Sequence, residues 1–262
     1  VENNKAVQIK RLYHFFSTIG TARLGPATAE KLWGIGLTQV SDVTQASIAK
    51  LSEMKGFAMK SATTLSNNIH KAMQNTPLDR FMDASTTLQI GIGRKLIKDL
   101  LRVFPDLLLV KMSEAEIMAM LKAKKVKGFG PARIANTAKS IPKFRQFLMT
   151  LNPNDIERAI TNQKTRMDRL RESGYNEQIA GNTFVLTGFM SRTDYELEDY
   201  IYDNQGNFSS VVTKDTTAVI AASIDNITDK MINANSLGVK TYSVSEFVER
   251  FSVVYTPFIE AE

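Results

Sequence analysis

A turn of small residues recurs at nearly constant spacing through the first part of this 262-residue chain, and it constrains the fold more than any other feature. Lys127–Ser140 reads K-G-F-G-P-A-R-I-A-N-T-A-K-S, with Gly128 and Gly130 bracketing Phe129. An earlier stretch, Q-I-G-I-G-R-K-L-I-K-D-L-L, has Gly91 and Gly93 bracketing Ile92, with Ile97 set opposite Ala135. Two weaker copies precede it: Arg23-Leu24-Gly25-Pro26 leads into A-T-A-E-K-L, and Gly56-Phe57-Ala58 into M-K-S-A-T-T-L. The third positions, Gly25, Ala58, Gly93 and Gly130, are spaced by 33, 35 and 37 residues. A period of that size marks a supersecondary unit whose copies stack to share one core.

Apolar residues at helical spacing flank each turn. Phe15, Phe16 and Ile19 precede the first, and Ala29, Leu32 and Trp33 follow it. Ile117, Met120 and Leu121 precede the last, and Ile134 and Ala138 follow it. Glycine in the turn permits positive φ and close approach to another surface. The turn also exposes unpaired N–H groups at the positive end of the second helix, where a phosphate docks. The unit expected is a helix-hairpin-helix, a binder of DNA backbone without regard to sequence, and four of them imply an all-helical domain over residues 1–150. Basic flanks at Lys95, Lys98, Lys124, Lys125, Lys127 and Arg133 favour that reading over a purely structural turn. In the two weaker copies, where Arg23 and Ala58 stand in for glycines, structural and DNA-contacting roles remain equally open.

Charge divides the chain. Residues 1–180 hold 28 Lys+Arg against 15 Asp+Glu, a net +13, and residues 181–262 hold 5 against 12, a net −7. Such a contrast suits two domains with different partners. Cysteine is absent, which excludes disulfides, thiolate metal sites and thiol catalysis. Only His14 and His70 are available for imidazole chemistry, so no metal site and no catalytic triad is expected. No apolar run approaches the ~20 residues of a membrane span.

The acidic third alternates strand and helix signals after a charged helical segment at 151–180 that serves as a linker. Thr183–Gly188 (T-F-V-L-T-G) reads as a strand, 194–202 as a helix, 208–212 and 218–222 as β-rich runs. Residues 228–237 read as a helix closed by Gly238, 239–243 as a strand and 245–251 as a helix. This order predicts a small parallel α/β domain over 181–262. Thr187 and Gly188 then lie at the carboxyl end of the first strand, where open α/β sheets bind ligands, and Lys230 is placed to help hold a phosphate there. The alternative is a strand-terminal turn beside a solvated lysine.

The basic region resembles the helix-hairpin-helix domain of bacterial-type NAD-dependent DNA ligases, and the acidic third resembles their C-terminal BRCT domain. The words that carry the likeness are V-Q-I-K-R-L-Y-H-F (7–15), G-P-A-T-A-E-K-L (25–32), Thr76-Pro77-Leu78, G-F-G-P (128–131), T-F-V-L-T-G (183–188) and S-L-G-V (236–239). They keep the family's order over nearly the whole chain. One departure is Phe247 in the last helix, where BRCT domains usually carry tryptophan. A larger departure is the absence of K-x-D-G, whose lysine accepts AMP from NAD in that family, and of the four-cysteine zinc finger.

The resemblance implies a piece of a ligase, or one subunit of a ligase split into two chains, that binds double-stranded nicked DNA in the cytoplasm of a bacterial or phage-infected cell. It carries no cofactor and no catalytic residue; NAD and Mg belong to the complete ligase, on a separate adenylation/OB-fold chain or domain. The expected DNA contacts are Gly25, Gly56, Lys60, Gly91, Gly93, Lys95, Lys127, Gly128, Gly130 and Arg133. Three other readings stay open: a nuclease or repair-complex subunit, a hairpin-type glycosylase using Asp99 or Lys139, and a protein–protein scaffold.

Overall fold

Each small-residue turn joins two helices, as the apolar spacing on either side requires. A computed structural model describes residues 4–254 apart from 90, 125, 127 and 190–192, with backbone alone for 193–195. The chain divides into two units, 1–165 and 166–262. In the first, α1 (Lys5–Thr18) and α2 (Pro26–Gly34) form one hairpin, and the short α3 (Val40–Thr44) leads to α4 (Ile48–Ser52) and α5 (Met59–Asn75), the second. The third hairpin is α6 (Leu78–Ala84) with α7 (Arg94–Val103), and the fourth is α8 (Glu114–Ala123) with α9 (Pro131–Leu148). One apolar core runs through all four, from Leu12 to Ala159. At its centre the ring of Phe15 stacks on Phe81 at 6.0 Å and meets Phe16 edge-to-face at 5.2 Å. Full burial of one such ring contributes about 1.5–3 kcal/mol. Helix α10 (Pro153–Ser173) buries Ala159 in the same core, so the helical unit runs on past residue 151.

The second unit is a four-stranded parallel sheet in the order β2-β1-β3-β4. Its elements follow as β1 (Thr183–Thr187), α11 (Thr193–Asp203), β2 (Asn207–Phe208), β3 (Ala218–Ala221), α12 (Asp229–Ser236), β4 (Thr241–Ser243) and α13 (Val244–Arg250). Phe184 registers with Ala218 and Leu186 with Ile220, and Ile220 with Tyr242 on the other side. Side chains alternate between faces: Phe184 and Ile220 enter a core with Leu197, Ile201 and Phe247, and Val185 and Val219 pack with Val212 and Ala234 opposite. The expected strand over 208–212 is cut short. The Ser209 hydroxyl accepts from the Val211 N–H at 3.1 Å and donates to the Val211 carbonyl at 2.7 Å, a local turn that replaces the ladder. Phe247 is fully buried, edge-on to Phe184 at 5.2 Å and stacked on Phe251 at 4.6 Å, so two phenyl rings fill the space beside the sheet.

Candidate nucleic-acid interface

The four turns share one backbone conformation. Their first residues, Arg23, Gly56, Gly91 and Gly128, have φ of 61°, 82°, 86° and 85°. Their third residues, Gly25, Ala58, Gly93 and Gly130, are N-caps in extended conformation with ψ of 179°, 171°, 177° and 174°. Between them an apolar side chain points inward: Leu24, Ile92 and Phe129 are buried and Phe57 packs partly buried on the core. Each N-cap carbonyl accepts from the N–H four residues on, at Ala29, Ala62, Ile97 and Ile134. Ile97 therefore corresponds to Ile134, and not to Ala135 as the sequence comparison set it. Arg23 adopts a left-handed conformation that only glycine takes without strain, yet the turn keeps its shape.

These turns leave the following helices unfinished at their positive ends. In α2, α7 and α9 the N-cap is glycine with no side-chain hydrogen bond, and in α5 it is alanine, whose own N–H donates to Ser61 Oγ at 3.0 Å. None of the four has an acidic residue in its first turn. The other helices, α11 aside, have one or both. Asn4 and Ser47 cap α1 and α4, and Asp42, Asp79 and Asp155 sit in the first turns of α3, α6 and α10. Ser113, Thr228 and Ser243 cap α8, α12 and α13, each with an acid in the first turn. A capping oxygen or a carboxylate at a helix start is worth about 0.3–2 kcal/mol. Four equivalent helix ends forgo both, and there the N–H groups and the dipole favour an anion.

The cations around these ends behave differently from one hairpin to the next. Lys60 is exposed in the first turn of α5. Lys95 pairs with Asp99 at 2.9 Å, and Asp99 is also held by Arg102. Arg94 lies 3.7 Å from Asp83. Lys98, expected as a basic flank, is buried with its ammonium 3.1 Å from Asp79, so it serves the core of the third hairpin. The Arg133 guanidinium donates to the Gly128 carbonyl at 2.7 Å, across its own turn. Lys125 and Lys127 lie outside the described residues. Sequence reasoning missed Lys31: its ammonium stands over the Phe57 ring, 5.3 Å from the centroid, beside Gly56 of the next hairpin. Nothing in the local pattern around Lys31 marks it, because the contact joins two repeats.

In the second unit the structure brings Thr187, Gly188 and Lys230 together. Gly188 takes φ 76° at the carboxyl end of β1. The Thr187 hydroxyl shares a hydrogen bond with Thr228 Oγ1 at 2.8 Å, and Lys230 Nζ donates to the Leu186 carbonyl at 3.0 Å. Among the described residues no group of His, Asp and Glu is arranged to hold a metal, and no helix is long and apolar enough to cross a membrane.

Comparison with known proteins bears on both units. Residues 177–251 match the family of the BRCA1 C Terminus (BRCT) domain. They form a BRCT domain. The whole chain, BRCT domain included, is similar to a C-terminal part of a DNA ligase. It is 24% identical to the DNA ligase of Acanthamoeba polyphaga mimivirus over 96% of its own length and 38% of that protein's. The DNA ligase of Thermosipho africanus is 25% identical over 92% of the chain and 34% of its own length. That of Acidobacterium capsulatum is 29% identical over 87% and 32%. The chain thus spans about a third of the length of the curated relatives it matches.

Proposed function

We propose that this chain is the DNA-gripping portion of an NAD-dependent DNA ligase, holding nicked duplex while another segment or chain performs the nucleotidyl transfer. The observation that carries the reading is the set of four equivalent helix ends, each without side-chain cap and without acid, in the basic part of the chain. The helix-hairpin-helix turns would set backbone amides at Gly25, Gly56, Gly91, Gly93, Gly128 and Gly130 against phosphates across the minor groove. Lys60 and Arg133 add charge beside them, and Lys127 adds it by sequence position. Contacts of this kind position a protein on the duplex and read no bases. Adenylation requires an activated lysine nucleophile, which the K-x-D-G motif would supply and this sequence lacks. NAD and Mg2+ therefore act on the adenylation/OB-fold partner.

The BRCT domain contributes a phosphate or protein contact through Thr187, Gly188 and Lys230. Its negative charge disfavours a broad phosphate-binding face. The glycosylase alternative finds less support, because Asp99 is held by Lys95 and Arg102 on the flank of α7. The reading is tested by mixing this chain with an adenylation/OB-fold ligase protein, NAD, Mg2+ and nicked duplex. Sealing that requires both proteins supports it. Sealing equally fast without this chain sinks it.

A further inference from the structure

The four hairpins have one backbone and four different electrostatic settings. In the third, the four cations of α7 meet three carboxylates: Arg94 meets Asp83, Lys95 and Arg102 share Asp99, and buried Lys98 meets Asp79. The field that α7 would present to a phosphate is largely cancelled inside the protein. In the second hairpin the arrangement is reversed. Lys31, carried by α2 of the first hairpin, reaches the next turn and is held over the face of Phe57. Among the described residues no carboxylate pairs with Lys31, Lys55 or Lys60. An aromatic face fixes an ammonium without neutralising it, whereas an acid would do both.

A cation beside the positive end of a helix is unfavourable by itself. At the start of α5, Lys31 and Lys60 both stand near such an end, and nothing acidic in the first turn offsets them. An anion bound at that helix end offsets the repulsion. The fourth hairpin follows the same logic with its own residue, since Arg133 is held by a neutral carbonyl and keeps its full charge. There the neighbouring hairpin brings the Leu96 side chain to the Gly128 turn.

We propose that the second and fourth hairpins take DNA phosphates, that Lys31 is a phosphate-binding residue of the second, and that the third hairpin is a structural unit with its charge spent internally. This rests on the DNA-gripping reading above and narrows it: Gly91 and Gly93, counted there among the phosphate contacts, become structural. It reverses the ranking by sequence, in which the third copy is among the two strongest.

The test is the salt dependence of binding to a fluorescently labelled nicked duplex. Lys31→Gln and Lys60→Gln are each expected to reduce the magnitude of the log–log slope by about 0.9, the value for one phosphate contact. Lys31→Arg should keep the slope, and Lys95→Gln should leave it unchanged. A slope lowered by Lys95→Gln as much as by Lys31→Gln would overturn the assignment, as would a Lys31→Gln protein that binds like the parent. These outcomes differ from failure of the DNA-gripping reading, in which the parent chain itself shows no salt-dependent affinity and both ideas fall. Trp33 fluorescence on melting verifies that each variant is folded.

Discussion

Lys98 sits among the basic residues after Gly93, and in the sequence nothing separates it from the cations beside it. Its burial depends on Asp79, which α6 delivers from the other side of the hairpin, so the pairing is a property of the folded unit. Lys98→Met should leave a buried carboxylate without its ammonium and cost on the order of 3–5 kcal/mol, read by denaturant unfolding followed at Trp33. Replacing both partners, with Asp79→Leu added, should recover most of the loss. Gly206 is a second residue whose identity is set by space. A Cβ there would lie 2.6 Å from Ile201 Cγ2, 2.9 Å from Ile179 Cγ2 and 3.0 Å from the Ile201 carbonyl oxygen. Gly206→Ala should therefore destabilise the BRCT domain by about 1–3 kcal/mol, seen as faster amide exchange in β1 and β3. Exchange in the Phe15–Phe81 core should not change.

At the scale of elements, helix starts separate into two kinds. Those of α8 and α13 are closed by reciprocal capping. The Ser113 hydroxyl and then its N–H hold Glu116 below the usual carboxylate range, and the Ser243 N–H and then its hydroxyl do the same for Glu246. Because both acids are lowered in the folded state, their contribution is complete above the ordinary glutamate value and is lost as pH falls through the lowered one. Ser243→Ala removes the hydroxyl and keeps the N–H, so it should move the Glu246 midpoint part of the way upward in an NMR titration; an unmoved midpoint would rule out the hydroxyl's share. The hairpin helices are the other kind. At Gly130 a Cβ would meet open space and the backbone is extended, so aspartate fits as an N-cap. Gly130→Asp should hold or raise stability by a few tenths of a kcal/mol while weakening DNA binding, since its carboxylate takes the place of the phosphate. A variant that loses stability and keeps its affinity would show that the open helix end has only a structural role.

For the whole molecule, much was legible from pattern alone. The spacing of Gly25, Ala58, Gly93 and Gly130 located four hairpins, because their turn geometry needs small residues at fixed positions. The strand–helix alternation after residue 180 located the parallel sheet for a similar reason, since the two periodicities differ. What stayed hidden were contacts between repeats and across turns: Lys31 on Phe57, Lys98 on Asp79, and the Ser209 turn that ends β2. Local pattern carries no record of a partner supplied by another element. The charge division between +13 and −7 was visible at once, but its use depends on which cations are left uncancelled after folding. The most direct test is the affinity of the intact chain for nicked duplex as a function of salt. The account predicts a log–log slope of about −2 or steeper, from at least two phosphates at about 0.9 each, and the same slope on unrelated sequences. An affinity that is flat in salt, or that follows base sequence, would contradict it.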